Sequence, residues 1–135
     1  MRVILDSNVL ISALISAGSP PDRIYRAWRE KRFTLVTSAD QLAELRRASR
    51  YPKLRKLVPA HEFGAIINHL HGAIVLRRLP KLDLSRDAAD NYLLAMAEAS
   101  EADFLVTGDA RDLLRLKRHG HTRIVAPGSF LKLIR

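Results

Sequence analysis

Short runs of consecutive apolar residues alternate along this chain with longer stretches whose apolar residues recur every three or four positions. The short runs are typical of buried strands, and they occupy residues 2–6, 33–36, 73–76, 103–107 and 123–125. The longer stretches are typical of amphipathic helices. They predict helices over residues 8–17, 21–32, 38–49, 60–71, 111–118 and 127–134, and one more that begins at Ser85. At the third of these, Ser38 and Gln41 predict a capping box.

The order of these elements predicts the fold class. Strands that alternate with helices favour a parallel sheet with right-handed crossovers and helices on both faces. A chain of 135 residues is long enough to form one domain with its own core, and no linker or internal repeat divides it. We therefore expect a single-domain three-layer α/β/α protein over residues 1–135, with a central parallel sheet of four to five strands.

Charge is distributed unevenly along the chain. The formal net charge is +9, and residues 22–56 alone contain eleven Lys or Arg against four acids. A basic patch of this kind is the electrostatic signature of a partner with a phosphate backbone, although solvated helix faces or an acidic protein partner would also account for it. We therefore predict a nucleic-acid partner for this segment.

Composition also excludes several classes of protein. There are no cysteines, so disulfides, thiolate zinc sites and cysteine catalysis are excluded. No apolar stretch approaches the roughly 20 residues needed to span a bilayer. The N-terminal apolar region is interrupted at Asp6 and Asn8, unlike the continuous apolar core of a signal peptide. We expect a cytoplasmic protein with no membrane association.

Four acids occupy positions that the predicted fold would bring to one edge of its sheet. Asp6 and Asp109 each come directly after an apolar strand, and Glu44 and Asp90 lie in helices that follow turns. Ligands of open α/β sheets bind just beyond the carboxyl ends of the strands. In so basic a chain, carboxylates gathered at one place favour a divalent cation. Hard cations such as Mg²⁺ and Mn²⁺ prefer oxygen ligands, and a cation so held can activate water and stabilise the charge of a phosphodiester.

Six neighbouring polar residues are candidates to support these acids. Ser7 and Asn8 have a simpler explanation as helix caps, and Asp87 and Asp112 as acids that favour the helix dipole. Ser7 and Asn8 are placed to orient Asp6, and Thr107 offers a hydroxyl group close to the expected cation. The remaining candidates are Asp87, Asn91 and Asp112.

Four segments together resemble a PIN domain, and more specifically the PIN-family toxins of prokaryotic toxin–antitoxin systems. These segments are DSNVLISA, the helix that contains Glu44, RDAADNYLLAMA and ADFLVTGDARDLL. The resemblance implies a metal-dependent endoribonuclease acting on single-stranded RNA, in which Asp6, Glu44, Asp90 and Asp109 surround Mg²⁺ or Mn²⁺. Related sequences often carry a further Asp where this chain has Ala89. Asp87 matches a position that is frequently acidic in the family but less diagnostic, so its role stays open.

The resemblance also implies partners. A cognate antitoxin protein and a homodimer are expected for toxins of this type. We expect RNA to bind the basic residues that follow Glu44, namely Arg46, Arg47, Arg50 and Lys53. The toxin role and a housekeeping nuclease role both remain open on these residues.

Other classes fit the chain less well. A phosphatase of the haloacid-dehalogenase type needs a second Asp where Asn8 stands, and no glycine-rich GxGxxG turn follows the first strand. His69 and His71, like His119 and His121, are spaced two apart with no evident third zinc ligand. The serious alternative is a non-catalytic RNA-binding or protein-interaction module on a PIN-like fold.

Overall fold

A computed structural model describes residues 1–82 and 88–134 of the chain. Six strands form one sheet, and helices cover both of its faces. The strands are β1 (Arg2–Leu5), β2 (Thr34–Ser38), β3 (Ile74–Leu76), β4 (Phe104–Val106), β5 (Arg118–His119) and β6 (Thr122–Val125). The helices are α1 (Ser7–Ile15), α2 (Pro20–Arg29), α3 (Ala39–Ala48), α4 (Pro52–Arg55), α5 (Ala60–Leu70), α6 (Ala88–Ser100), α7 (Leu113–Leu116) and α8 (Pro127–Leu133).

The first strand lies in the middle of the sheet, whose order is β3-β2-β1-β4-β6-β5. It pairs in parallel with β2 on one side and with β4 on the other. The chain therefore leaves β1 toward one half of the sheet and returns to build the other half. Such a reversal of strand order opens a crevice at the carboxyl ends of the strands, which is where ligands of open α/β sheets bind.

Alternate residues of β1 supply two separate hydrophobic cores. Val3 and Leu5 belong to a core formed with α1, α2, α3, α5 and α8, whereas Ile4 belongs to a core formed with α6 and α7. Successive side chains of a strand point to opposite faces, so a strand that is apolar throughout must be covered on both sides. The predicted three-layer α/β/α arrangement is confirmed.

The five predicted strands form the parallel part of the sheet, and two short elements were not predicted. The helix expected over residues 111–118 ends at Leu116, and β5 then pairs with β6 as an antiparallel hairpin. Lys117 and Gly120 adopt positive φ angles of 60° and 56°, which turn the chain out of the helix and into the hairpin. The second unpredicted element is α4, a single turn that begins at Pro52.

Two predictions about the chain around α6 have different outcomes. Ser85, expected to start this helix, lies outside the described residues, as does Asp87. The remainder of the helix is confirmed, with Asp90 in its first turn. Within the two described ranges, no helix is both long enough and apolar enough to cross a membrane.

Candidate functional site

All four acids singled out in the sequence line one cleft at the carboxyl edge of the sheet. The cleft has a volume of about 470 Å³. Its lining residues are Asp6, Asn8, Glu44, Asp90, Tyr92, Leu93, Gly108, Asp109 and Asp112. The acids come from four separate places in the chain, and the parallel pairing of β1 with β4 brings two of them together.

Asp6 is held at the floor of this cleft, where it caps α1. Its side chain is only 8% exposed. One carboxylate oxygen accepts a hydrogen bond from the Thr107 hydroxyl group at 2.7 Å, and the other accepts one from the backbone N–H of Asn8 at 3.2 Å. Burial raises the pKa of Asp6, and the nearby charges of Glu44 and Asp109 raise that pKa further. The ionised form therefore costs free energy that a bound cation would offset.

Three other carboxylates form the part of the cleft best suited to a metal ion. Asp90, Asp109 and Asp112 each offer an oxygen atom, and these three atoms lie within 4.8 Å of one another. Asp109 is oriented by the backbone, because its Oδ1 accepts hydrogen bonds from the N–H groups of Arg111 and Asp112 at 3.1 and 3.2 Å. An all-oxygen set of this spacing suits a hard divalent cation. Asp112, which the sequence marked only as a supporting residue, stands here beside Asp90 and Asp109.

A chain of hydrogen bonds holds Glu44 on the other side of the cleft. The Tyr92 hydroxyl group donates a hydrogen bond to the Glu44 carboxylate. The Tyr92 hydroxyl oxygen lies 3.1 Å from Ser7 Oγ, and because the Tyr92 proton goes to Glu44, Ser7 donates this hydrogen bond. Gln41 Nε2 in turn donates to Ser7 Oγ at 3.4 Å. Burial first, and the hydrogen bond to Glu44 second, raise the pKa of Tyr92 well above its usual value, so Tyr92 stays a neutral donor.

Sequence reasoning missed Tyr92 and predicted the wrong side-chain contacts for Ser7 and Gln41. Ser7 was expected to orient Asp6, but its hydroxyl group contacts Tyr92 instead. Ser38 does accept a hydrogen bond from the Gln41 backbone N–H at 3.1 Å, so the cap at α3 is present. The Gln41 side chain does not complete the capping box, however, because its Nε2 donates to the Leu5 carbonyl at 2.7 Å. The only available signal for Tyr92 was its position two residues after Asp90.

The remaining candidates lie around the cleft. Asn91 lines a neighbouring cavity with Asp40, Lys81 and Leu82 rather than the acidic cleft itself. Along the end of α3 and the start of α4, four basic side chains are exposed, and within residues 1–82 and 88–134 none of them forms an ion pair shorter than 4.0 Å. These four are Arg46, Arg47, Arg50 and Lys53.

Histidine takes no part in this site. His119 pairs with Glu98, and His121 pairs with Asp103, in both cases through Nε2. Among the residues that the structure describes, the group of three or more possible metal ligands is the one formed by Asp90, Asp109 and Asp112. The geometry gives no support to a zinc site.

The fold and the cleft together define a class of protein, namely an α/β/α domain that presents carboxylates for a divalent cation at the switch point of its sheet. A family model described as PIN domain matches residues 2–111. The chain belongs to the PIN-domain family. PIN domains are in general nucleases that use divalent metal ions, so nucleic acid is the class of partner.

The chain is also similar to an uncharacterized protein of Methanocaldococcus jannaschii. The two sequences are 28% identical over 142 residues, and the alignment covers 98% of this chain and 90% of the relative. The similarity therefore extends over nearly the full length of both proteins, including the hairpin and α8 beyond the family match.

Proposed function

We propose that this protein is a Mg²⁺- or Mn²⁺-dependent endoribonuclease that hydrolyses phosphodiester bonds of single-stranded RNA. The observation that carries this proposal is the convergence of Asp6, Glu44, Asp90 and Asp109 on one cleft of a PIN domain. A non-catalytic module would have no need for four acids at this place, because clustered carboxylates repel one another.

The four acids have different parts in the proposed site. Asp90 and Asp109, together with Asp112, supply the oxygen atoms that would hold the ion. Asp6 and Glu44 line the same cleft and are fixed by hydrogen bonds from Thr107 and Tyr92 respectively. When bound, the ion would activate water and stabilise the charge of the phosphodiester.

The basic end of α3 would hold the remainder of the RNA. Glu44 faces the cleft, and the helix that carries it continues into Arg46 and Arg47. Arg50 and Lys53 extend the positive charge beyond the end of the helix. Cations in this arrangement neutralise backbone phosphates without reading sequence. A strand bound along α3 would thus be led to the acidic cleft.

The variant Asp90→Asn tests this proposal in two assays, metal binding and RNA cleavage. Wild-type protein should bind Mn²⁺ in isothermal titration calorimetry and should cleave a fluorescently labelled single-stranded RNA only when the metal is present. Asp90→Asn should lose both properties and stay folded. Glu98→Gln is the matched control, because it removes an exposed acid of the same helix outside the cleft. No Mn²⁺ binding by the wild type at millimolar metal would favour the non-catalytic module instead.

We further propose that the nuclease is the toxin of a toxin–antitoxin pair and that it forms a homodimer. The support is the resemblance of its motifs to PIN-family toxins, together with the basic segment that an acidic antitoxin could cover. Expression of the protein alone should slow the growth of its host, and Asp6→Ala should relieve this effect. Confirmed expression without a growth penalty or RNA loss would contradict the toxin role and leave the nuclease role standing. Light scattering coupled to gel filtration measures the oligomeric state.

A further inference from the structure

We propose that Tyr51, three residues beyond the end of the helix that carries Glu44, is a stacking platform for a base of single-stranded RNA. The chain has eight aromatic residues, all within the described ranges, and Tyr51 is the one whose side chain is exposed. Its exposed fraction is 54%. Tyr25 and Tyr92 are half-buried, and their hydroxyl groups are hydrogen-bonded to His69 and Glu44.

The charge around Tyr51 favours a nucleic acid as the occupant. No Asp or Glu occurs between Glu44 and Glu62, whereas six Lys or Arg lie in this interval. All six are exposed, and within the described residues none of them takes part in an ion pair. They are Arg46, Arg47, Arg50, Lys53, Arg55 and Lys56. An exposed ring among unpaired cations is the combination with which proteins hold single strands, since the cations follow the backbone and the ring stacks on a base.

The path of the backbone relates Tyr51 to the cleft. Turn hydrogen bonds from the N–H of Arg50 to the Arg47 carbonyl and from the N–H of Tyr51 to the Ala48 carbonyl continue the helical path beyond the end of α3. Tyr51 is seven residues after Glu44, and seven residues along a helical path correspond to about two turns and a separation of about 10 Å along the axis. That separation equals about three nucleotides of a stacked strand.

The backbone at Tyr51 is held in place before any ligand arrives. Tyr51 has φ −68° and ψ 125°, and Pro52 follows as the first residue of α4. A residue before proline is confined to extended conformations, which limits the directions that the ring can take. Restraint of the backbone reduces the conformational entropy that is lost when a base stacks on the ring.

This inference rests on the proposed function, because it assumes that the strand reaching the acids is RNA. The test measures binding of a short single-stranded RNA by fluorescence anisotropy with EDTA present, so that no cleavage occurs. Tyr51→Ala should weaken binding by about 5- to 150-fold, the range observed for loss of one base–aromatic stack. Tyr51→Phe should bind like the wild type, because it keeps the ring. The salt dependence should be the same for all three proteins, since no charge is removed.

Two controls separate stacking from other effects. Leu57→Ala removes a side chain that is 58% exposed in the same basic segment, and its affinity for RNA should not change. An oligonucleotide without bases should bind wild type and Tyr51→Ala with equal affinity, because the ring then has nothing to stack on.

The inference is overturned if Tyr51→Ala binds RNA as tightly as the wild type, which would indicate that the exposed ring serves a protein partner. It is also overturned if Leu57→Ala weakens binding as much, or if Tyr51→Phe behaves like Tyr51→Ala. These outcomes are distinguishable from failure of the nuclease proposal. Wild-type RNA affinity in Tyr51→Ala would refute the platform without bearing on metal-dependent cleavage by the wild-type protein, whereas absence of cleavage by the wild type would leave the comparison of Tyr51 variants in the binding assay unchanged.

Discussion

Tyr92→Phe removes one oxygen atom, and we expect it to lower the stability of the protein and to slow RNA cleavage. The lost hydroxyl group donates to the Glu44 carboxylate and accepts from Ser7, so the variant leaves both groups without that partner. A hydrogen bond to a charged group contributes about 1.5–3 kcal/mol. For a domain of this size we expect Tm to fall by roughly 5–10 °C.

The pH dependence of this loss follows from the direction of the pKa shift. The pKa of Tyr92 is raised in the folded protein, mainly by burial and then by its hydrogen bond to Glu44. A group with a raised pKa contributes its stability fully below the pKa of the unfolded chain, which for tyrosine is about 10. The difference in Tm between wild type and Tyr92→Phe should therefore be constant from about pH 6 to 9 and should shrink only in stronger alkali.

The effect of Tyr92→Phe on catalysis distinguishes a role of Tyr92 in positioning Glu44 from a purely stabilising role. Without Tyr92 to hold it, Glu44 samples more positions in the cleft, and we expect kcat to fall about tenfold, equivalent to about 1.4 kcal/mol of barrier. KM should change little, because Tyr92→Phe removes none of the exposed positive charges proposed to hold the RNA. Tyr25→Phe is the matched control, since it removes a hydroxyl group bonded to His69 on α5. Wild-type kcat and Tm in Tyr92→Phe, measured by single-turnover cleavage and thermal melting, would refute this reasoning.

Three further predictions concern the acids and the basic surface. Burial raises the pKa of Asp6, so this side chain favours folding below the unfolded pKa of about 4 and opposes folding above its folded pKa. Asp6→Asn should therefore raise Tm at neutral pH without metal, and this gain should disappear toward pH 3. A lower Tm at every pH would contradict this prediction. Asp112→Asn should weaken Mn²⁺ binding at least about tenfold in calorimetry if its oxygen completes the trio, and an unchanged Kd would exclude it as a ligand. Charge reversal at four positions should weaken RNA binding and reduce the slope of log K against log salt by about three, whereas the metal affinity should not change. Unaffected RNA binding would assign the basic surface to another partner. These positions are Arg46, Arg47, Arg50 and Lys53.

Local sequence determined the elements of this fold and the convergence of its acids. Strands that are apolar throughout must be covered on both faces, so their alternation with helices predicted the three layers and the five parallel strands. Parallel strands end at a common edge, so the positions of Asp6 and Asp109 after β1 and β4 already implied that the two would meet. No side-chain detail was needed for either inference.

Only the tertiary structure decided which side chains touch within the cleft. Tyr92 and Glu44 are separated by 48 residues, and their contact depends on how α6 and α3 lie across the sheet. The spacing of Asp112 and Asp109 in the sequence suits a helix cap as well as a metal ligand, and only the fold brings Asp90 close to both of them. Sequence periodicity encodes which face of an element is buried, but the direction of a polar side chain depends on the partners that folding brings to it, and those partners come from distant parts of the chain.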